Sequence, residues 1–241
     1  MNKSDGAQHY RVSEIRGKHK TRALQDLEKD GMIYVDGIDP EPLDQVYQQA
    51  KVFFCSPDKR KYRSLGRNWG WFVDERKFDY CSRERFIIDS SEFVAPVKYA
   101  KHYLEEKGIL PAKRGMWPTY RDFPGLQPAF SRVYDHWLAF CSGMLPGYNM
   151  GSLHVCKYHV ARNPKFKISP HTDDEYVIAF RPEGEALEIC GTNGWISLPV
   201  EREQALLVKP ETEHRVRNIL HKVRYSAFFS YLADIYTGHN E

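Results

Sequence analysis

His171 and Asp173, at the head of HTDDEYVIAF, set two metal-competent side chains two residues apart. On a β-strand, residues i and i+2 project from the same face, so this spacing predicts an imidazole beside a carboxylate. His214, in ETEHRVRNIL, can supply a third donor from a later strand. Two histidines and one carboxylate on one side of a metal leave three positions open, a donor set that suits iron. The same side chains also accept Zn²⁺ or Mn²⁺, because geometry and not affinity order selects the metal. Ten residues after His214, Arg224 and Ser226 repeat the i, i+2 spacing. A guanidinium beside a hydroxyl can grip the carboxylate of a small organic acid through paired, charge-assisted hydrogen bonds.

The elements that must position these groups are short strands. From Leu153 onward LHVCKYHV, EYVIAFR, ALEI, GWISLP, QALLVKP, EHRVRN and VRYSAFFSYL alternate with turns such as Asn-Pro, Pro-Glu-Gly and Gly-Thr-Asn-Gly. Many short strands at regular spacing predict a sandwich or barrel, and a jelly roll covers its sheets without long open edges. Residues 1–145 read as helix-rich. TRALQDLEKD stops at Gly31, a natural left-handed cap, and MIYVDGI follows as a strand. In EPLDQVYQQAKVFF, residues Leu43, Val46, Tyr47, Ala50, Phe53 and Phe54 fall on one helical face. Phe130, Val133, Tyr134, Trp137, Leu138, Cys141 and Leu145 form a second stripe, suited to packing on a sheet. RFIID (85–89) alternates as a strand, residues 92–107 read as helical, and the first twenty residues as a mobile tail or a loosely attached strand. The expected fold is mainly β: a jelly-roll core (146–241), or double-stranded β-helix, buttressed by N-terminal helices. No repeat or linker divides the chain, so 1–241 reads as one domain.

Residues 56–80 look irregular and interleave aromatic with basic side chains. They form either a surface loop anchored by its aromatics or one wall of a substrate pocket, with Arg67, Trp69, Trp71, Arg76 and Phe78 as contacts. Basic and aromatic residues from 67 to 85 hint at a carboxylate-bearing small molecule. Asp174 and Glu175 read as a solvated strand end, or else orient a histidine or meet the substrate; Glu175 is the candidate substrate contact. His159 follows Tyr158 and so faces the other way along its strand.

Composition narrows the function classes. With 41% hydrophobic and 28% charged residues the 241-residue chain is ordinary globular material. Its 35 Lys+Arg against 32 Asp+Glu leave +3, spread along the chain, which argues against nucleic acid as a partner. The N-terminal stretch is polar and no apolar run has the length of a membrane span, so a soluble, cytoplasmic protein is expected. Five scattered cysteines without CxxC spacing read as reduced thiols. Nothing in the patterning sets an oligomeric state.

Taken together, His-x-Asp, a distal His followed by Arg-Val, and Arg-x-Ser ten residues later running into AFFSYL resemble the Fe(II)- and 2-oxoglutarate-dependent oxygenases, specifically the isopenicillin N synthase-like branch. The stretch from GMIYVDG to FFCSPDKRK is similar to that branch's N-terminal region. The resemblance implies His171, Asp173 and His214 as iron ligands, with Arg224 and Ser226 binding the distal carboxylate of 2-oxoglutarate. It puts Tyr158 against the cosubstrate, with Cys156 where relatives often carry asparagine. The short Asp173–His214 span and the short tail imply a more open pocket, or one closed by a partner chain. The implied reaction joins O₂, a small-molecule substrate such as an amino acid or secondary metabolite, and decarboxylation of 2-oxoglutarate to succinate. Hydroxylation is the default outcome, with desaturation or ring closure also open. The retained Asp173 argues against halogenation. Two alternatives remain: an Fe(II)/O₂ oxidase that uses no 2-oxoglutarate, and a non-catalytic jelly-roll binding protein.

Overall fold

Strand β12 (Arg224–Ala233) divides the molecule into two layers. Tyr225, Ala227, Phe229 and Tyr231 enter the main apolar core. Arg224, Ser226, Phe228 and Ser230, the alternate positions, line a cavity on the other side. The structure is a computed structural model, and it describes residues 7–62, 70–74, 83–89, 121–159, 166–181, 187–191, 194–217 and 223–233.

The strands before β12 are β1 (Gln8–Arg11), β2 (Met32–Asp36), β3 (Gly70–Asp74), β4 (Arg83–Asp89), β5 (Gly147–Tyr158), β6 (Phe166–His171), β7 (Glu175–Phe180), β8 (Leu187–Gly191), β9 (Gly194–Ser197), β10 (Gln204–Val208) and β11 (His214–Arg217). Among the described residues they form two sheets. The larger has the order β1-β2-β10-β7-β12-β5-β4-β3, and the smaller β6-β11-β8-β9. From β5 to β12 the chain passes back and forth between them, the β8–β9 hairpin staying in the smaller sheet. This is the jelly roll expected from the strand pattern, with the cavity between its two sheets.

The helices cover the outer face of the larger sheet. They are α1 (Val12–Ile15), α2 (Lys20–Asp30), α3 (Glu41–Cys55) and α4 (Leu126–Met144). Gly31 ends α2 at φ 77, where a left-handed residue closes the last turn. Helix α4 packs on β5 and β12, and α3 packs on α4. Phe53 is the centre of this layer: the rings of Phe54, Trp71, Phe86 and Phe123 meet it edge-on at 5.0–6.4 Å. Each fully buried phenylalanine contributes roughly 1.5–3 kcal/mol by area removed from water. Gly151 in β5 is required by this packing, since a Cβ there would lie 2.4 Å from Cζ of Phe229.

Several boundaries differ from the sequence reading. Of the two expectations for the first twenty residues, the attached strand holds at β1, paired parallel to β2, with Tyr10 buried and its hydroxyl donating to Asp26 on α2, and helix α1 follows it directly. Within the region read as irregular, Pro57–Tyr62 is a 3-10 helix and β3 pairs antiparallel with β4. Strand β5 begins at Gly147, not Leu153, and β6 was missed because Pro170 lies inside FKISPH and argues against a strand. The helix expected over 92–107 lies outside the described residues. Among the described residues no helix is long and apolar enough to cross a membrane.

Candidate metal centre

His171 closes β6 and His214 opens β11, and the antiparallel register pairs the two directly. Their ring centroids lie 4.3 Å apart. Asp173 is not on a strand with His171, as the i, i+2 argument assumed; it sits in the turn from β6 to β7. That turn is held from outside. The Glu211 N–H donates to the Asp173 carbonyl at 2.9 Å, and Glu211 adopts φ 65 to do so. The same loop is tied to the end of α2, where the Lys209 N–H and the Thr212 hydroxyl both donate to the Gly31 carbonyl.

The proton positions follow from these partners. His171 Nδ1 is 2.9 Å from the Ser169 carbonyl, and His214 Nδ1 is 3.0 Å from the Thr212 carbonyl. A carbonyl only accepts, so both Nδ1 atoms carry the hydrogen and both Nε2 atoms present lone pairs when neutral. His214 Nε2 then faces Asp173 Oδ2 at 3.3 Å. Two lone pairs at that distance repel unless a proton or a metal cation lies between them. The local electrostatics have the same origin. Burial pulls the His214 pKa down, but the hydrogen bond to Asp173, and then that to the Thr212 carbonyl, raise it overall. For Asp173 burial pushes upward, and hydrogen bonding to His214 with the charges of His214, His171 and His154 outweighs it, so its pKa is lowered. One donor atom from each of His171, Asp173 and His214 falls within 4.8 Å of the others, close enough to hold a metal ion.

The cavity beside this triad has a volume of about 440 Å³ and is lined from both sheets. Arg224 is 5% exposed, and its Nε and Nη1 are buried with no hydrogen-bond partner. Its guanidinium carbon lies 5.7 Å from the centre of the Tyr158 ring on β5, and Ser226 shares its cavity face. Burial pulls the Arg224 pKa down; Tyr158, Tyr47 and Cys156 act in the opposite direction. An unpaired buried guanidinium costs several kcal/mol, on the order of the penalty for any uncompensated buried charge. The site is therefore built for an anion.

No protein-family profile matches the chain, and no curated protein sequence does. Solved structures do. A protein from Caulobacter crescentus described as of the 2OG-Fe(II) oxygenase family aligns over 96% of this chain and 87% of its own, with a TM-score of 0.72 at 18% identity. A full-length Neurospora crassa protein, solved in complex with alpha-KG, aligns over 97% and 89% with a TM-score of 0.72 at 17% identity. The dioxygenase for auxin oxidation 1 from Arabidopsis thaliana, solved with 2-oxoglutarate, aligns over 94% and 92% with a TM-score of 0.64 at 11% identity.

The chain has the fold of the 2OG-Fe(II) oxygenases. At these identities the likeness is one of architecture, and the side chains must be read from this chain itself.

On this oxygenase fold, His171, Asp173, His214, Tyr158, Arg224, Ser226 and Glu175 all line one cavity. Trp71 does not. It is 4% exposed on the helix side, stacked edge-on against Phe53, with its indole N–H donating to Glu84 at 3.0 Å. The sequence reading left its stretch between a loop anchored by its aromatics and a pocket wall; pairing with Phe86 turns Trp71 into the core, so for this residue the anchoring alternative holds. Arg67, Trp69, Arg76 and Phe78 lie outside the described residues. His159 faces away, as expected, 3.0 Å from Glu84. Among the lining residues not singled out from the sequence are His154 and Arg85, the latter at the end of the basic and aromatic stretch from 67 to 85. The signal for His154 was available: it precedes Cys156 and Tyr158 at i−2 and i−4 on the same strand face.

Proposed function

We propose that this chain is an Fe(II)- and 2-oxoglutarate-dependent oxygenase that oxidises a small molecule, working as one catalytic domain over residues 1–241. The observation that carries the reading is the pairing, in one cavity, of a three-donor metal site with the unpartnered buried guanidinium of Arg224. A structural arginine would have a carboxylate beside it; this one faces the cavity beside Ser226.

In this reading His171 Nε2, a carboxylate oxygen of Asp173 and His214 Nε2 hold the iron. The Ser169 and Thr212 carbonyls fix both rings in the donor tautomer. Arg224 and Ser226 take the distal carboxylate of 2-oxoglutarate, and Tyr158 closes the pocket over it. When bound, iron and 2-oxoglutarate supply O₂ activation with release of succinate and CO₂, for which three open metal positions are needed. The apolar lining, including Val177, Leu187 and Phe228, keeps water from the reacting carbon. Hydroxylation is the outcome this arrangement serves most simply, since no described cavity side chain stands ready to divert it.

A succinate-release screen with Fe(II), 2-oxoglutarate and air, across amino acids, short peptides and aromatic acids, tests the reading. Succinate that depends on both iron and Arg224 supports it. Absence of succinate under every condition, including the slow turnover without substrate, contradicts it.

A further inference from the structure

Tyr47 falls on the apolar stripe of α3, yet its hydroxyl makes two bonds that packing alone does not call for. It donates to the Arg181 carbonyl at 2.7 Å and accepts from the Ala227 N–H at 2.9 Å. Arg181 follows directly on β7 and Ala227 lies within β12, so a helix side chain bridges two strands of the larger sheet.

The register shows where. Pairing of β12 with β7 runs from Leu232 opposite Glu175 to Phe228 opposite Ala179. One residue further along, Ala227 gives its N–H to Tyr47, and Tyr47 gives its own hydrogen to Arg181. A hydroxyl donates and accepts at once, which phenylalanine, equally suited to the stripe, cannot do.

The Ala227 N–H belongs to the same planar peptide group as the Ser226 carbonyl, so this bond fixes the orientation of that group. Arg224 lies two residues before Ser226 on the same strand face, roughly 7 Å along the strand. The opposite edge of this segment is paired with β5, Arg224 with Tyr158 and Ser226 with Cys156. The segment that bears the two anion-binding side chains is therefore held along one edge by β5 and at the other by the Tyr47 hydroxyl. Tyr47 is also near enough to act on the guanidinium: burial lowers the Arg224 pKa, and Tyr158 and then Tyr47 work against it.

We propose that Tyr47 is a positioning residue for the carboxylate site, setting Arg224 and Ser226, through the Ala227 peptide, at the spacing that grips the distal carboxylate of 2-oxoglutarate; this rests on the oxygenase reading above. Paired hydrogen bonds to a carboxylate need their donors placed to within about 0.5 Å, so a loosened strand costs affinity before it costs the fold. The metal donors stand on β6, the turn after it and β11, away from this bridge.

The test uses the full chain loaded with Mn(II), which holds the cosubstrate without turnover. Calorimetry measures three acids: 2-oxoglutarate; glutarate, which has both carboxylates and no keto group; and 2-oxobutyrate, which has the keto acid and no distal carboxylate. Tyr47→Phe retains the ring and its packing, and near-native circular dichroism checks the fold. It should weaken both diacids ~10-fold, the low end of what losing a supporting hydrogen bond costs a metal site. Affinity for 2-oxobutyrate and for Mn(II) should stay within about twofold, as for groups that share no partner. In an Arg224→Gln background the same substitution should cost nothing further, because the group it positions is gone. Wild type gives a reading without any variant: glutarate should raise the protection of the Ala227 amide against hydrogen exchange. The proposal is overturned if Tyr47→Phe leaves the diacids unchanged, weakens all three acids alike, or adds its full loss to that of Arg224→Gln. No gain in Ala227 protection overturns it as well. A glutarate site that depends on Tyr47 and Arg224, in a protein that binds neither keto acid, would uphold the assignment and strike the oxygenase reading. A wild-type protein that binds no diacid strikes both.

Discussion

His171 and His214 are register partners across β6 and β11, and each turns its Nδ1 to the carbonyl two residues before it. The duplicated contact leaves both Nε2 atoms with a lone pair when neutral, and His214 Nε2 lies 3.3 Å from Asp173 Oδ2, an arrangement suited to a cation. Replacing either histidine by alanine removes a donor outright. We expect Co(II) or Fe(II) affinity to fall by more than the ~10–100-fold typical of losing a supporting hydrogen bond. Calorimetry or metal-dependent thermal shift checks this, with near-native circular dichroism as the control.

The turn carrying Asp173 is positioned by a residue that touches no metal-donor atom. Glu211 gives its N–H to the Asp173 carbonyl at φ 65, a backbone state closed to proline. Glu211→Pro should weaken metal binding ~10–100-fold through Asp173 alone. Glu211→Gly keeps the N–H and tolerates positive φ, so it should leave metal affinity unchanged. The contrast between the two variants is the readout, measured by metal titration.

Arg224 makes a less intuitive prediction. Its buried, unpartnered nitrogens weigh against the ligand-free fold. Arg224→Met should therefore abolish 2-oxoglutarate binding and yet stabilise the protein without ligand by about 1–4 kcal/mol, as removal of buried charge often does, with a higher melting temperature. Differential scanning calorimetry with and without 2-oxoglutarate measures both effects.

Glu84 ties stability to pH. Burial alone would raise its pKa, but the hydrogen bond and charge of Lys59, the charge of Lys157 and the Trp71 N–H hold it below its ordinary value of 4.5. A carboxylate depressed in the folded state contributes stability fully above the unfolded pKa and loses it as pH falls through the folded one. Glu84→Gln should cost about 3–5 kcal/mol at pH 7, because Lys59 is left without its partner. Below pH 4.5 the difference from wild type should shrink. Urea unfolding across pH 7 to 3 checks the sign.

Much of the site was legible because its parts are strung along a short C-terminal stretch: His171, Asp173, His214, Arg224 and Ser226 all line one cavity. The reason given for Asp173 was wrong, however, since a turn and not a strand presents it. The jelly roll was readable from strand spacing, while β6, with Pro170 inside it, was not. Arg85 could not be placed, because its position depends on β4 pairing with β5, a contact between residues some seventy apart that local patterning cannot show. Trp71 stayed between core anchor and pocket contact for the same reason: only its partner strand reveals which face is the core.

The most direct test of the central claim is an anaerobic titration of the Fe(II)-loaded protein with 2-oxoglutarate, followed by visible absorption. The account predicts a weak charge-transfer band that saturates in wild type. In Arg224→Gln the band should need far more 2-oxoglutarate, while iron binding stays intact. No band in wild type, or parallel loss of iron and 2-oxoglutarate in Arg224→Gln, would contradict it.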